Sequence, residues 1–236
     1  MADDVVSYRQ EDRIGVVTLD DGKANAMSLP WFAALNAALD RAEADAPAAL
    51  VLGGRAGMFS AGLNLKVLPT LPEAELQRTL VAFGQTLLRV FVFPIPTVAA
   101  VTGHAIAGGA MLALACDLRV MAEGAFRLHL NEHLLGLPLP TWAITIAESG
   151  IPHRYHVEGI LHARPYSPDE ALERTIVTAV ARPADTTLSE AMRLAEPLSA
   201  LSTGAYGESK RRSRATAVCW AEQQLATEGM PRPGAR

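Results

Sequence analysis

Residues 96–120 read PTVAAVTGHAIAGGAMLALACDLRV, a run in which apolar segments flank a glycine-containing turn. The segment Thr97 to Val101 is apolar and partly β-branched and predicts a buried strand. The turn that ends at residues 108–109 follows it, Met111 to Ala115 predicts a helix, and Leu118 to Met121 predicts another strand. Because strand, turn and helix alternate in this way, the sequence predicts an α/β fold.

The same succession occurs nearer the N-terminus. Val5 to Gln10 and Ile14 to Leu19 are rich in β-branched residues and predict a hairpin. Ser28 can cap a first helix, Ala49 to Leu52 predicts a buried strand, and Leu71 to Val92 predicts a long amphipathic helix. This repetition favours stacked ββα turns over a flat doubly wound sheet.

The pattern changes at Pro140, after which predicted strands nearly vanish. We therefore divide the chain into a core of ββα turns at residues 1–139, a helical region at 140–226 and a flexible tail at 227–236. The predicted helices of the second part are Thr141 to Gly150, Pro152 to Leu161, Pro168 to Leu172, Leu188 to Leu201 and Thr203 to Leu225.

Composition excludes several classes of protein. With 236 residues, 50% of them hydrophobic and 19% charged, the chain can bury a core and is not intrinsically disordered. A formal net charge of -4 does not suit a nucleic-acid-binding face. Cys116 and Cys219 lie far apart without a metal-ligand spacing, so neither a disulfide framework nor a zinc site is expected. The N-terminus lacks a signal-peptide pattern and no long apolar run occurs, so we expect a soluble cytoplasmic protein.

Two glycine-containing loops each follow a predicted strand. Gly108 and Gly109 open a helix, where peptide N–H groups have no partner within the helix, and the loop from Phe59 to Leu63 could present a second N–H group. Two converging N–H groups would form an oxyanion hole, although on residue types alone ordinary turns explain such glycines more often. The spacings typical of phosphate-binding and dinucleotide-binding loops are missing from both segments.

Residues 96–120 resemble the signature of the crotonase, or enoyl-CoA hydratase/isomerase, superfamily. Phe59 to Leu65 (FSAGLNL) is similar to the first oxyanion loop of that family, and Lys23 to Met27 (KANAM) is similar to its acyl-CoA loop. Leu134 to Pro138 (LLGLP) resembles the turn that follows its second acid position. The resemblance covers about residues 5 to 220.

This resemblance implies a crotonase-type ββα spiral with a C-terminal helical trimerisation region, and a homotrimer or a dimer of trimers. It implies that the N–H groups of Leu63 and Gly108 hold the thioester oxygen of an acyl-CoA. Coenzyme A would be part of the substrate, with no further cofactor. The residues implied at the coenzyme A site are Lys23, Ala24, Ala26, Ser60, Ala61, Leu63 and Lys210.

The family has two acid positions, and this chain keeps an acid at only one of them. Hydratases that use two glutamates carry the first one three residues after the oxyanion glycine, where this sequence has Met111. The second position matches Glu132, whose apolar neighbours are expected to raise its pKa toward the range of an acid/base group. From its sequence neighbours alone, Glu132 is better explained as a surface residue at the start of a short helix.

One acid instead of two favours isomerisation. Hydration of a 2-enoyl-CoA needs an activated water and a delivered proton, whereas moving a double bond from C3 to C2 needs one base. The segment from Asn131 to Trp142 also resembles that of mitochondrial-type enoyl-CoA delta isomerases. The resemblance thus implies an isomerase in fatty acid metabolism. A hydratase or lyase, a non-catalytic acyl-CoA-binding protein and a trimeric scaffold without ligand remain alternatives.

The remaining polar residues favour less specific roles. His104, His129 and His133 lie near the predicted site, but no carboxylate or cysteine completes a ligand set, so no metal site is expected. Lys210 opens a basic cluster on the last predicted helix; the resemblance implies contact with the phosphates of coenzyme A, and a solvated helix face is the alternative. Large apolar residues are expected to form the core and the acyl pocket: Trp31, Phe32, Phe83, Leu87, Val90 and Trp142.

Overall fold

The computed structural model describes residues 5–225 and 227–228, and within them it contains nine strands and seven α-helices. The strands are β1 (Val6–Glu11), β2 (Ile14–Leu19), β3 (Ala49–Gly54), β4 (Gly57–Ser60), β5 (Thr97–Val101), β6 (Gly103–Ile106), β7 (Leu118–Ala122), β8 (Leu128–His129) and β9 (Ala179–Ala181). The helices are α1 (Leu29–Asp45), α2 (Glu73–Phe91), α3 (Gly108–Ala115), α4 (Thr141–Gly150), α5 (Pro168–Glu173), α6 (Thr187–Leu198) and α7 (Thr203–Leu225).

The strands form two sheets. The larger has the order β1-β2-β3-β5-β7-β9, in which β1 and β2 form the antiparallel hairpin and the other pairs are parallel. The smaller is parallel with the order β4-β6-β8. Strands β3, β5 and β7 enter the larger sheet and the strand after each enters the smaller one, so the chain advances as a spiral of ββ units. The predicted ββα architecture is confirmed.

Helices cover both faces of the larger sheet. Ser28 caps α1 by accepting the N–H of Trp31 at 3.4 Å, and the buried face of α1 carries Trp31, Leu35 and Leu39. Together with α2, α3 and α4, this face packs into the main hydrophobic core. A second, smaller core lies between the sheet and α6, where Ala191 and Ala195 are buried.

The C-terminal region is mainly helical, as predicted, but it also supplies a strand. Residues 179–181 form β9, which pairs with β7 and extends the larger sheet. The predicted helix over residues 152–161 is present as a 3₁₀ helix (His153–Tyr155) followed by a π-helix (Val157–Leu161), and not as one α-helix. The predicted tail at 227–236 lies outside the described residues except for Thr227 and Glu228.

A buried ion cluster anchors α7 to the rest of the molecule. Asp117 accepts hydrogen bonds from Lys210 at 2.7 Å and from Arg214 at 2.9 Å, and also from the backbone N–H of Thr97 at 2.8 Å. Lys210 and Arg214 lie one helical turn apart on α7, so both reach the same carboxylate. Among the described residues, no helix combines the length and the apolar character that a membrane-spanning segment requires.

Candidate active site

Two loops meet where β4 and β6 end. These strands are parallel neighbours, so the loop after β4, residues 60–63, lies beside the loop after β6, residues 107–109. A Cβ atom on Gly62 would lie 2.7 Å from the backbone nitrogen of Gly108, and one on Gly109 would lie 2.0 Å from the carbonyl oxygen of Ser60. Only glycine fits these two positions, because any side chain would force the loops apart.

The N–H groups of Leu63 and Gly108 are available for a ligand. Neither donates a hydrogen bond to another atom of the described residues. Gly108 is also the first residue of α3, where the helix dipole favours negative charge. Ala107 precedes it with a φ of 51°, a conformation that non-glycine residues seldom adopt.

One cleft brings the predicted catalytic residues together. Leu63, Gly108 and Glu132 all line it, and so does the predicted coenzyme A contact Ala61. The other lining residues are mainly apolar: Leu65, Leu68, Phe83, Ala107, Asn131, Leu135 and Leu137. Such a cleft is typical of sites that hold an apolar chain and orient it with few polar groups.

Glu132 is the one ionisable residue among the described residues that line this cleft. It begins a 3₁₀ turn (Glu132–Leu135) and is only 5% exposed. Burial raises its pKa to about 7, although the backbone N–H groups of Glu132 and Asn131 oppose the shift. A carboxyl group with a pKa near 7 can both accept and return a proton in neutral solution.

Met111 occupies the position that the two-glutamate enzymes fill with an acid. It lies on α3, three residues after Gly108, and is fully buried in the core. Its thioether cannot transfer a proton. The described part of the cleft wall therefore offers a single carboxylate, that of Glu132.

Asp21 shapes the loop from Lys23 to Met27. Its carboxylate accepts the backbone N–H groups of Lys23 at 2.8 Å, Asn25 at 2.8 Å and Ala26 at 3.1 Å. These bonds lower the pKa of Asp21 against the opposing effect of its partial burial. The sequence analysis missed this residue, although an aspartate just before a Gly-Lys turn is a signal for such a cradle.

Asn25 lies at the centre of this loop. Its side chain is fully buried and donates to the carbonyl groups of Leu19 at 2.8 Å and Phe59 at 3.0 Å. Asn25 itself has a φ of 48°, which asparagine tolerates better than most residues. The sequence analysis did not single out Asn25 either.

The loop of residues 23–27 is bonded directly to the loop that carries Leu63. Ala61 donates to the carbonyl of Ala24 at 3.0 Å, and Met27 donates to the carbonyl of Gly62 at 2.8 Å. The hydroxyl of Ser60 donates to the carbonyl of Asn25 at 2.7 Å. Five of the predicted coenzyme A contacts thus lie on these two bonded loops: Lys23, Ala24, Ala26, Ser60 and Ala61.

Lys210 lies elsewhere. Its side chain is 4% exposed, and its ammonium group is bonded to Asp117 and to the carbonyl of Ile95 at 3.2 Å. A lysine that meets the phosphates of coenzyme A needs a free ammonium group at the surface. The structure does not support the predicted phosphate contact, because Lys210 is instead part of the cluster that anchors α7.

The three histidines near the cleft hold backbone segments together. His129 bonds to the carbonyl of Ala163 at 2.6 Å and His133 to that of Leu161 at 3.1 Å, while His104 accepts the N–H of Arg127 at 3.2 Å. Among the described residues, no group of three or more histidine, cysteine, aspartate or glutamate side chains is placed to hold a metal ion.

The large apolar residues named from the sequence are buried. Phe83 lines the cleft and packs edge-on against Trp142, with ring centroids 4.7 Å apart. Trp31, Phe32, Leu87 and Val90 belong to the core behind it.

One polar residue of the wall, Asn131, received no role in the sequence analysis. Its carboxamide oxygen is buried without a partner among the described residues.

Comparisons with known proteins identify the family of this chain. Residues 9–230 match the family model described as enoyl-CoA hydratase/isomerase. A Bacillus subtilis protein named a probable enoyl-CoA hydratase is 34% identical over 197 residues, which cover 80% of this chain and 74% of that protein.

Solved structures show the same similarity. An enoyl-CoA isomerase from Mycobacterium tuberculosis superposes with a TM-score of 0.88 at 33% identity, covering 96% of this chain and 99% of that one. Human mitochondrial delta3-delta2-enoyl-CoA isomerase superposes with a TM-score of 0.88 at 25% identity, covering 94% and 90%. The two similar structures and the B. subtilis relative thus carry both activity names.

Proposed function

The chain belongs to the enoyl-CoA hydratase/isomerase family, and on that premise we propose that it is an enoyl-CoA isomerase that converts 3-enoyl-CoA to 2-enoyl-CoA. The observation that carries this proposal is a cleft lined by Glu132, the one ionisable residue of its described wall, and by Leu63 and Gly108, whose N–H groups donate to no other described residue. Isomerisation requires one base and one oxyanion hole; in this proposal Glu132 is the base, and the N–H groups of Leu63 and Gly108 form the hole.

In the proposed reaction, Glu132 removes a proton from C2 of the substrate. The electron pair of the C2–H bond forms a new C1–C2 double bond, and negative charge develops on the thioester oxygen. The N–H groups of Leu63 and Gly108 stabilise this enolate. Collapse of the enolate forms the C2–C3 double bond, and the former C3–C4 double bond takes the proton from Glu132 at C4.

The raised pKa of Glu132 suits this shuttle. A carboxylate with the usual pKa is a weaker base and would remove the C2 proton less readily, whereas a pKa of about 7 balances removal and return. The apolar wall formed by Leu65, Phe83 and Leu137 would keep water away from the enolate.

We propose that coenzyme A lies along the loop from Lys23 to Met27. Lys23 is exposed there, so its ammonium group is free to meet a phosphate or hydroxyl group. Ala24, Ala26, Ser60 and Ala61 would offer backbone groups beside the thioester. No cofactor besides the coenzyme A of the substrate enters the proposal.

We also propose a homotrimer, alone or paired into a hexamer, assembled through the C-terminal helices. Most of α7 is exposed in a single chain, including Trp220 with 55% of its surface accessible. An exposed tryptophan on a long helix is a common feature of interfaces.

Hydration is the second candidate, because the B. subtilis relative is named as a hydratase. Adding water with Glu132 alone would require one carboxyl group both to activate water and to deliver the proton. One acid/base group is typically worth about 10²- to 10⁴-fold in rate, so this activity should be the weaker one.

The test is a panel of 2-enoyl-CoA and 3-enoyl-CoA thioesters of matched chain length, followed by the absorbance of the conjugated thioester. We expect the absorbance to rise with 3-enoyl-CoA as the double bond comes into conjugation. If crotonyl-CoA loses absorbance faster than any matched 3-enoyl-CoA gains it, the protein is a hydratase and the isomerase proposal is wrong. If the thioesters bind but none is converted, the protein is a non-catalytic acyl-CoA-binding protein.

A further inference from the structure

Arg119, on β7, is a buried cation outside the cleft. It is only 7% exposed, and no carboxylate of the described residues forms an ion pair with it. Asp117, the carboxylate nearest to it in the sequence, pairs with Lys210 and Arg214 instead. Burial lowers the pKa of Arg119, yet an arginine side chain stays protonated in proteins. A buried charge without an ion-pair partner is unfavourable, so the groups that do bind it are informative.

The guanidinium group of Arg119 bonds to backbone carbonyl groups. Nε donates to the carbonyl of Ile176 at 2.6 Å, and Nη1 donates to those of Cys116 at 2.6 Å and Ala113 at 3.5 Å. Ala113 lies in the last turn of α3, and Cys116 directly follows that helix. The last carbonyl groups of a helix lack donors within the helix and carry its partial negative charge. Arg119 therefore neutralises the carboxyl-terminal end of α3.

The opposite end of the same helix carries the N–H group of Gly108. All eight residues of α3 are buried, so the helix is about 12 Å long and solvent screens charges along it only weakly. A negative charge at Gly108 is attracted by the amino-terminal end of the helix and repelled by the carboxyl-terminal end. A cation bound at the carboxyl-terminal end offsets that repulsion.

We propose that Arg119 is a positioning residue that acts through α3: it holds the carboxyl-terminal end of the helix that carries Gly108, and its charge favours the enolate at the other end. This inference rests on the proposed function, in which the thioester oxygen beside Gly108 becomes negatively charged. Because the thioester is neutral before the reaction, the charge of Arg119 stabilises the transition state more than the bound substrate.

The size of the effect follows from the length of α3. Two unit charges about 12 to 15 Å apart, at an effective dielectric constant of about 20, interact strongly enough to change a rate roughly 5- to 10-fold. This change should appear in kcat and not in the affinity for a saturated acyl-CoA, which forms no enolate. A residue that only stabilises the fold would change neither quantity in the folded molecules.

The test compares Arg119→Lys, which keeps the charge, with Arg119→Gln, which removes it. Both variants lose hydrogen bonds to the carbonyl groups, so both should have a lower free energy of unfolding. We expect kcat for 3-enoyl-CoA to fall 5- to 10-fold in Arg119→Gln and to stay within about 3-fold of wild type in Arg119→Lys. Calorimetric binding of a saturated acyl-CoA should give affinities within about 2-fold of wild type, and its stoichiometry counts the folded molecules to which kcat is referred.

Arg174→Gln is the matched control. It makes the same chemical change in a cation that pairs with Glu158 at 2.8 Å and Glu173 at 3.3 Å, where solvent screens the charge. Stability should fall in this variant, and kcat should not.

A kcat per folded molecule that is unchanged in Arg119→Gln would overturn the inference and leave the proposed function intact. Equal losses of kcat in Arg119→Gln and Arg119→Lys would overturn the role of the charge. If Arg119→Gln does not fold, Arg119→Lys decides: a kcat within about 3-fold of wild type supports the inference, and a larger loss overturns it. A wild-type protein that converts no 3-enoyl-CoA or 2-enoyl-CoA would overturn the proposed function and this inference together.

Discussion

Gly62 and Gly108, which belong to loops 46 positions apart in the chain, approach so closely that a methyl group on Gly62 would lie 2.7 Å from the nitrogen of Gly108. That nitrogen is one of the two donors of the proposed oxyanion hole. Gly62 also precedes Leu63, which carries the other donor. The spacing of the two donors is therefore fixed by a contact that only a glycine permits.

We predict that Gly62→Ala lowers kcat for 3-enoyl-CoA by 10²-fold or more, because displacing either donor weakens stabilisation of the enolate. Gly57→Ala is the matched control. Gly57 also has a positive φ, 80° against 77° for Gly62, but a Cβ atom there would meet nothing within 4 Å. Both variants should lose a similar amount of stability from backbone strain, and only Gly62→Ala should lose turnover; equal kinetic losses would count against the contact.

Glu132→Gln should abolish turnover, because the amide keeps the shape of the carboxyl group but cannot accept a proton. Binding of a saturated acyl-CoA should stay within a few-fold of wild type. Glu148→Gln is the control, since Glu148 lies on α4 with a half-exposed side chain and contacts only His156 among the interactions of the described residues. A Glu132→Gln variant with more than about a tenth of the wild-type rate would show that another group is the base.

The pH dependence follows from the same carboxyl group. Its pKa of about 7 in the folded protein exceeds the ordinary value of 4.5, so the acid form predominates below about pH 7 and cannot act as the base. We expect kcat/KM for 3-enoyl-CoA to rise through about pH 7 and to level off above it. The free energy of unfolding should fall from about pH 4.5 to pH 7, because the folded state then holds a proton that the unfolded state has released.

Thermal unfolding of Glu132→Gln provides a check on that sign. The variant cannot ionise at position 132, so it should lack the part of the decline that wild type shows between pH 4.5 and pH 7. If both proteins lose stability equally over this range, the raised pKa of Glu132 is not its cause.

The parts of the site that depend on local sequence could be predicted. The glycine pair at 108–109 opens a helix, and the loop from Phe59 to Leu63 carries a glycine after a predicted strand, so their neighbours in the chain already indicate turns with free N–H groups. The structure corrects the bounds of the second loop, since Phe59 and Ser60 belong to β4 and the turn begins at Ala61. Parallel pairing of β4 and β6 then brings the two loops together. The identity of Glu132 as a cleft residue needed the family resemblance, because its sequence neighbours alone also suit a surface turn.

Other features depend on contacts between distant segments and could not be predicted. Lys210 lies within a basic run that suits a solvated helix face, yet its partner Asp117 is 93 positions away in the chain. Strand β9 has only three residues, too few to show an alternating pattern, and it forms because the edge of β7 is available for pairing. The carboxamide oxygen of Asn131 can be recognised as unpaired only from the folded wall of the cleft, because its surroundings come from distant segments.

Lys210→Met tests whether this lysine is structural. Lys210→Met removes one of the two cations that pair with Asp117 and leaves the other, Arg214. Breaking a buried ion pair typically costs about 3 kcal/mol or more. We expect a lower free energy of unfolding in denaturant titrations, with KM for acyl-CoA substrates nearly unchanged at a temperature where the variant is folded. Arg212→Met should change neither quantity, since Arg212 is 73% exposed and pairs only with Glu208 on the described part of the chain. If KM rises for Lys210→Met and not for Arg212→Met, Lys210 contacts the phosphates of coenzyme A after all.

Asp21→Asn should weaken coenzyme A binding, because an amide oxygen accepts the N–H groups of Lys23, Asn25 and Ala26 less strongly than a carboxylate. The loop of residues 23–27 is also bonded to the loop that carries Leu63, so kcat should fall as well as KM rise, by roughly 10-fold in kcat/KM. Asp20→Asn is the matched control: Asp20 is exposed, and within the described part of the chain its carboxylate accepts the N–H of Gly22 at 2.9 Å and forms an ion pair with Arg55 at 3.5 Å. Steady-state kinetics with one 3-enoyl-CoA would separate the two variants. Because the pKa of Asp21 lies below the ordinary range, the wild-type loop should keep its order through the pH range in which an ordinary aspartate becomes protonated, and so should the binding of a saturated acyl-CoA. Equal effects of the two substitutions would mean that the local negative charge, rather than the three hydrogen bonds, supports the site.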